Sequence, residues 1–325
     1  MTSAPSADGE LQPYPNHTVT TGLWFGHTKT VSQLAPHRAV RTQFAVLGTS
    51  VAAWETTPSA AIGTALLVPG YTGSKEDFAP LFDPLTEAGY RVVAIDQPGQ
   101  YESPGPETPL GYSVASLGRV VSAVTAALHA GPVHLLGHSF GGLVARASVL
   151  TEPALFRSLT LLCSGPAAIA GARRDRMAEL EPLLPLGMAA VYEQVERGAR
   201  LDPRWLESPA ELKAFLKERF VTSSAVGLRG MGDALGSEPD LTEDLAATRI
   251  PILVCHGEND DAWLPPVQVE MARRLGARHE VIPKAAHSPA IENTKLTVAA
   301  LTRFWDAHRA PSGSPAHTGE TDSRR

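Results

Sequence analysis

The sequence predicts an α/β fold, a mostly parallel eight-stranded sheet flanked by helices, with a helical cap inserted after the sixth strand. Short apolar runs of strand character alternate with stretches of helical periodicity, the order that buries a parallel sheet between two helix layers. After Ser164-Gly165-Pro166 this rhythm stops, and up to Glu238 only helical patterns follow. It resumes near Ile250. Of 325 residues, 43% are hydrophobic, ample for one large core.

The elements follow in order. Residues 1–20 are rich in Ser, Pro and polar side chains and read as a disordered segment. The core is read over 21–166 and 239–309, the cap over 167–238, and a polar, disordered tail over 310–325. Val40–Leu47 and Val51–Glu55 read as a hairpin across Gly48-Thr49-Ser50. Ala65–Val68 is the next strand. Ser74 with Asp77 caps a helix whose buried face is Phe78, Leu81, Phe82 and Leu85, ended by Gly89. Arg91–Ile95 is a strand. Val114, Leu117, Val121, Val124 and Leu128 mark another helix, closed at Gly131. A strand over Val133–Leu136, a helix over Leu143–Leu150 and a strand over Leu159–Cys163 complete the first half. In the cap, Ser208-Pro209-Ala210-Glu211 reads as a capping box ahead of Leu212, Phe215, Leu216 and Phe220. Met177, Met188 and Met231 also fall there, suited either to an adaptable pocket roof or to the cap's own small core. Ile252–His256 and Glu280–Pro283 are the last strands, and 266–275 and 290–306 the last amphipathic helices.

Chemistry concentrates at Gly137-His138-Ser139-Phe140-Gly141, between the strand and the helix of the first half. A sharp strand-to-helix turn presenting a serine is a nucleophile elbow, G-x-S-x-G. The serine sits in strained backbone, and side chains two residues to either side would collide where strand and helix pack. A serine hydroxyl needs an adjacent general base, usually a histidine oriented by a carboxylate. In this arrangement they follow in the order Ser, acid, His. Candidates stand in that order, in Gly257-Glu258-Asn259-Asp260 after one strand and Lys284-Ala285-Ala286-His287-Ser288-Pro289 after the last.

With these residues the chain resembles the α/β-hydrolase superfamily over roughly residues 40 to 308, in particular its lidded, cofactor-free serine hydrolases of esterase and lipase type. The resemblance implies that the acid is Asp260, a few residues past the strand-ending glycine, and that the base is His287. It also implies an oxyanion hole made by two backbone N–H groups, those of Phe140 and of Tyr71 in Leu66-Leu67-Val68-Pro69-Gly70-Tyr71-Thr72-Gly73. Where the family often has His-Gly at that turn, this chain has Pro69-Gly70. It implies no cofactor and no metal.

Rivals stand beside these candidates. Glu258 lies where its side chain braces the loop, Asp261 points elsewhere on the turn, and Asp96 reads as a structural anchor ending a neighbouring strand. His256 lies inside a strand, and His138 supports the elbow. Only His287 lies after the last strand and just before a helix start.

Composition narrows the partners. A net charge of −6, from 34 acidic and 28 basic residues, with no dominant basic patch, argues against nucleic acid. Met1–Pro15 has no apolar h-region, and no membrane-spanning run is visible. Cys163 and Cys255 lie in apolar strand-like runs and read as buried reduced thiols of a cytoplasmic protein. The expected substrate is a small, partly apolar acyl compound, with a carboxylic ester as the leading choice. A serine rather than an aspartate at the elbow argues against haloalkane dehalogenase and epoxide hydrolase chemistry. A binding protein or receptor on the same fold, a carbon–carbon bond hydrolase, a perhydrolase and an aminopeptidase remain alternatives. Oligomeric state is not legible.

Overall fold

A computed structural model describes residues 32–309. The disordered segments read over 1–20 and 310–325 lie outside the described residues. Eight strands form one sheet: β1 Val40–Val46, β2 Thr49–Thr56, β3 Gly63–Val68, β4 Tyr90–Ile95, β5 Val133–His138, β6 Phe156–Leu162, β7 Ile252–Gly257 and β8 Arg278–Ile282. Their spatial order is β1-β2-β4-β3-β5-β6-β7-β8. The β1–β2 and β2–β4 pairs are antiparallel, and every pair from β4 to β8 is parallel. The first hairpin is tighter than its sequence reads: Val46 pairs with Thr49, so the turn is Leu47-Gly48, both at positive φ.

Period-two alternation explains the two helix layers. On one face Leu66, Val68, Leu135, Leu161 and Val254 join the core shared with α2 Val114–Ala127 and α3 Phe140–Thr151. On the other, Ala65, Leu67, Leu136, Leu162 and Leu253 meet the helix pair at the chain's start and end, α1 Phe82–Glu87 and the terminal helix Thr294–Ala307. A 3-10 stretch, Lys75–Leu81, runs into α1, and the Asp77 carboxylate accepts from the Ser74 N–H as its capping pattern predicts.

Between β6 and β7 there are helices only: α4 Gly171–Leu180, α5 Met188–Ala199, α6 Pro203–Glu207, α7 Ala210–Thr222, α8 Ala225–Ser237 and α9 Thr242–Ala247. Val191, Tyr192, Val195, Trp205, Leu216 and Phe220 build a separate apolar cluster. Burying each such side chain is worth about 1.5–3 kcal/mol. The three methionines divide: Met188 packs on this cluster, while Met231 and Met177 pack on the sheet-side core. The capping box read at Ser208 does not form. Ser208 closes the short α6, and its hydroxyl donates to the Arg204 carbonyl, so Pro209 stands as the cap of α7. The final helices are α10 Pro265–Leu275, α11 Pro289–Glu292 and α12 Thr294–Ala307. The single helix expected over 290–306 is interrupted at Asn293, whose extended φ of −149° breaks the spiral and whose side chain caps α12. Among the described residues no helix is long and apolar enough to cross a membrane.

Candidate active site

Parallel register brings the C-terminal strand ends to one edge. Val68 pairs with Gly137, His138 with Leu162, Leu162 with Cys255 and Gly257 with Ile282. Loops leaving β3, β5, β7 and β8 therefore converge, although their residues are far apart along the chain.

Ser139 occupies the turn between β5 and α3 with φ 54° and ψ −123°, a region a serine enters only when its surroundings force it. The cause is visible on either side. A Cβ at Gly137 would run into the Gly141 carbonyl, and one at Gly141 into the carbonyls of Val68 and Pro69. The Ser139 N–H donates to the Leu162 carbonyl (2.8 Å), fixing the elbow to the adjacent strand end.

His287 Nε2 lies 2.9 Å from Ser139 Oγ, and His287 Nδ1 lies 2.8 Å from Asp260 Oδ1. The three side chains form one hydrogen-bonded chain. Asp260 is buried and accepts further bonds from the Ala262 N–H (3.0 Å) and from Gln268 Nε2 (2.7 Å). Burial alone pushes its carboxyl upward, but His287 and the Ala262 amide outweigh that and hold it below the usual carboxylate range. Gln268 lies in the first turns of α10 and also donates to the Trp263 carbonyl. Nothing in the sequence marked it, since a glutamine on an amphipathic helix ordinarily faces water.

The His287 loop is clamped. Glu292 accepts from the N–H groups of Ala286 (2.7 Å) and Ser288 (3.0 Å), one on each side of His287. His138 Nε2 donates to the His287 carbonyl (2.7 Å). So His138 supports the His287 loop as well as lying in the turn between β5 and α3. Burial, then the neighbouring His287, lowers its pKa to about 4, which leaves it neutral near pH 7. Glu258 accepts from the Lys284 N–H, bracing the same loop. Asp261 turns away to Arg173 of α4, and Asp96 is held by Lys75.

Tyr71 and Phe140 border the serine from two sides. Phe140 is the first residue of α3, where N–H groups lack intrahelical acceptors. The loop carrying Tyr71 lies against Ser139: a Cβ on the preceding Gly70 would sit 3.0 Å from the Ser139 Cβ. Gln97 and Gln100 fix that loop by donating to the carbonyls of Pro69 and Gly70 (2.8 and 2.7 Å). The Tyr71 hydroxyl reaches across to the Leu228 carbonyl of α8 (3.0 Å).

A chamber of about 40 Å³ surrounds Ser139 and His287, walled by Tyr71, Ile169, Arg173, Met177 and Leu235. A cavity of about 430 Å³ adjoins it between α4 and α8, with Tyr71 and Met177 lining both. Ligand atoms of His138, Cys163 and His287 also lie within 4.8 Å of one another. That cluster is poorly suited to a metal ion. Both His287 nitrogens are already engaged, and burial, then Asp260, pushes the Cys163 thiol up, away from the thiolate a metal needs.

Comparison with known proteins agrees with this architecture. The model described as the alpha/beta hydrolase family matches residues 65–300. A pimeloyl-[acyl-carrier protein] methyl ester esterase of Aeromonas hydrophila is 28% identical over 232 residues, 68% of this chain and 87% of that one. A candidate carbamate hydrolase, RutD, of Variovorax paradoxus is 40% identical over 97 residues, 30% of this chain and only 36% of its own length. Among solved structures, a hydrolase from Pseudomonas aeruginosa PA01 superposes with a TM-score of 0.69 at 23% identity, covering 83% of this chain and 99% of that one.

Proposed function

The chain belongs to the alpha/beta hydrolase family, and from that premise we propose that it is a serine hydrolase cleaving a carboxylic ester or a related acyl bond. The observation that carries this reading is the unbroken hydrogen-bonded chain from Asp260 through His287 to Ser139. Its similarity to a methyl ester esterase supports an ester in particular.

Ser139 Oγ attacks the substrate carbonyl as His287 Nε2 takes its proton. Asp260 orients the imidazole and stabilises the imidazolium without taking the proton. The developing oxyanion is received by the N–H groups of Tyr71 and Phe140, helped by the positive end of α3. Each such donor is worth about 10²–10³ in rate. His287 then protonates the leaving group, and water, activated by the same base, releases the acid from Ser139. Residues 167–238 act as a cap. The small chamber takes the acyl part, and the larger cavity beyond Tyr71 and Met177 takes the leaving group.

Two measurements test this: labelling by a fluorophosphonate and hydrolysis of a short p-nitrophenyl ester. Ser139→Ala is expected to abolish labelling and lower turnover on the order of 10⁶-fold. Undiminished turnover in purified Ser139→Ala would refute the assignment.

A further inference from the structure

The chamber beside Ser139 and the larger cavity next to it differ in size and in access to water. At about 40 Å³ the chamber has room for roughly three water-sized groups. The cavity of about 430 Å³ falls in the range of sites that bury a whole small molecule. No residue on the chamber wall is exposed, and Ile169 and Leu235 are buried there. The cavity carries the apolar side chains of Leu180, Leu184 and Leu228 and meets water at the exposed Arg174, Asp233 and Ser237.

Tyr71 and Met177 border both spaces, and α8 leaves room beside them. That helix carries four glycines, Gly227, Gly230, Gly232 and Gly236, although glycine is a poor helix former. Packing accounts for two of them. A Cβ on Gly227 would lie 2.9 Å from the Tyr112 ring, and one on Gly230 2.8 Å from the Pro109 carbonyl oxygen. Gly232 and Gly236 instead line the cavity, one turn apart on the same helix face. Nothing lies within 4 Å of the place a Gly236 Cβ would take. A Gly232 Cβ would lie 3.2 Å from the Tyr71 hydroxyl oxygen and 3.6 Å from Met177 Cε, the two side chains where chamber and cavity meet. No backbone would be struck, so glycine at 232 preserves open space rather than a close approach of two chain segments. The Tyr71 hydroxyl is held by the Leu228 carbonyl, which keeps its ring from swinging aside.

The chemistry assigns the two spaces. Attack forms the bond from Ser139 Oγ to the acyl carbon and breaks the bond to the alcohol oxygen, which takes the proton from His287. The acyl group stays behind while the alcohol departs and water arrives, so the side that meets solvent serves the alcohol. Resting on the role proposed for Ser139, we infer that the substrate is a short-acyl ester, an acetate or propionate, of a bulky and largely apolar alcohol. Gly232 is the specificity-determining residue: its missing side chain lets the alcohol extend past Tyr71 and Met177 into the cavity.

The test uses two isomeric esters that carry the same ring on opposite sides of the reacting bond, 4-phenylbutyl acetate and ethyl 4-phenylbutanoate, with acid release followed at constant pH. In the wild-type protein kcat/KM for the acetate is expected to exceed that for its isomer by about 10- to 100-fold, the range given by burying one aromatic group. Gly232→Leu should lower kcat/KM for 4-phenylbutyl acetate by about 10-fold relative to ethyl acetate, mainly through KM. Gly232→Ala should fall between, and it carries the comparison if Gly232→Leu does not fold. Equal losses on 4-phenylbutyl acetate and ethyl acetate would overturn the role of Gly232. A wild-type preference for ethyl 4-phenylbutanoate, or a ratio near one, with Ser139 still labelled by a fluorophosphonate, would overturn the substrate class and leave the nucleophile standing. Absence of labelling together with no hydrolysis of any of these esters would sink the nucleophile, and this inference with it.

Discussion

Asp260 and Asp96 each follow the C-terminal end of a sheet strand, each is buried, and each pairs with a basic side chain at 2.8 Å. Their environments drive them apart. Asp260 meets one imidazole, one amide and Gln268, with no second acid against it, and its carboxyl is held low. Asp96 accepts from the Lys75 N–H and Nζ, but that one ammonium also serves Glu76 (3.0 Å) and Glu102 (2.8 Å). Three carboxylates share that ammonium, and with Arg41 also paired to Glu102 (2.9 Å) one negative charge remains in excess. Burial, and then Glu76, raises the Asp96 pKa to about 7. Position at a strand end thus offers a carboxylate to the site, and the company it keeps decides whether it meets an imidazole or anchors the loop.

Exchanging the two acids for amides separates these roles most sharply. Asp260→Asn is expected to lower kcat by about 10⁴-fold, because the imidazole loses its orienting partner. Asp96→Asn should instead appear in thermal unfolding, with kcat on the same ester close to wild type. A comparable loss of kcat in both variants would erase the distinction.

Removing the shared cation should come next in size. Lys75→Met strands the fully buried Asp96 carboxylate and the nearly buried Glu76, and urea unfolding should show a loss of about 3–5 kcal/mol. The pH dependence of stability gives a smaller, signed effect. The folded pKa of Asp96 lies above its unfolded value near 3.8, so the folded chain binds that proton more tightly. Its contribution is complete below about 4 and is lost as pH rises towards about 7. Glu76→Gln should flatten this fall by on the order of 2 kcal/mol, read from unfolding free energies across that window. An unchanged slope would show that Glu76 does not drive the shift. Smallest is Tyr71→Phe, which deletes the hydroxyl bond to the Leu228 carbonyl and should cost about 1 kcal/mol in the same assay.

Much of the site was legible because its signals are local. Gly137 and Gly141 announce the close approach of strand and helix, and Ser139 lies between them. Asp260 and His287 stand on loops whose strands the apolar runs mark out. Gln268 and Glu292 carry no such mark, since their task depends on which backbone groups lie across from them. Ser208 shows the converse failure: its local pattern fits a capping box, but the unread α6 claims its hydroxyl first.

By itself the sequence determined the alternation of strands and helices, the strained serine turn and the order of Ser139, Asp260 and His287 at successive strand ends, since each rests on side-chain size, backbone freedom and periodicity within a few residues. Only the tertiary structure decided that Gln268 holds the Asp260 carboxylate, that Arg173 lines the chamber and that Asp96 shares its lysine. Those outcomes are set by sheet register and by charges brought together from distant loops, and electrostatic environment is a property of neighbours in space rather than along the chain.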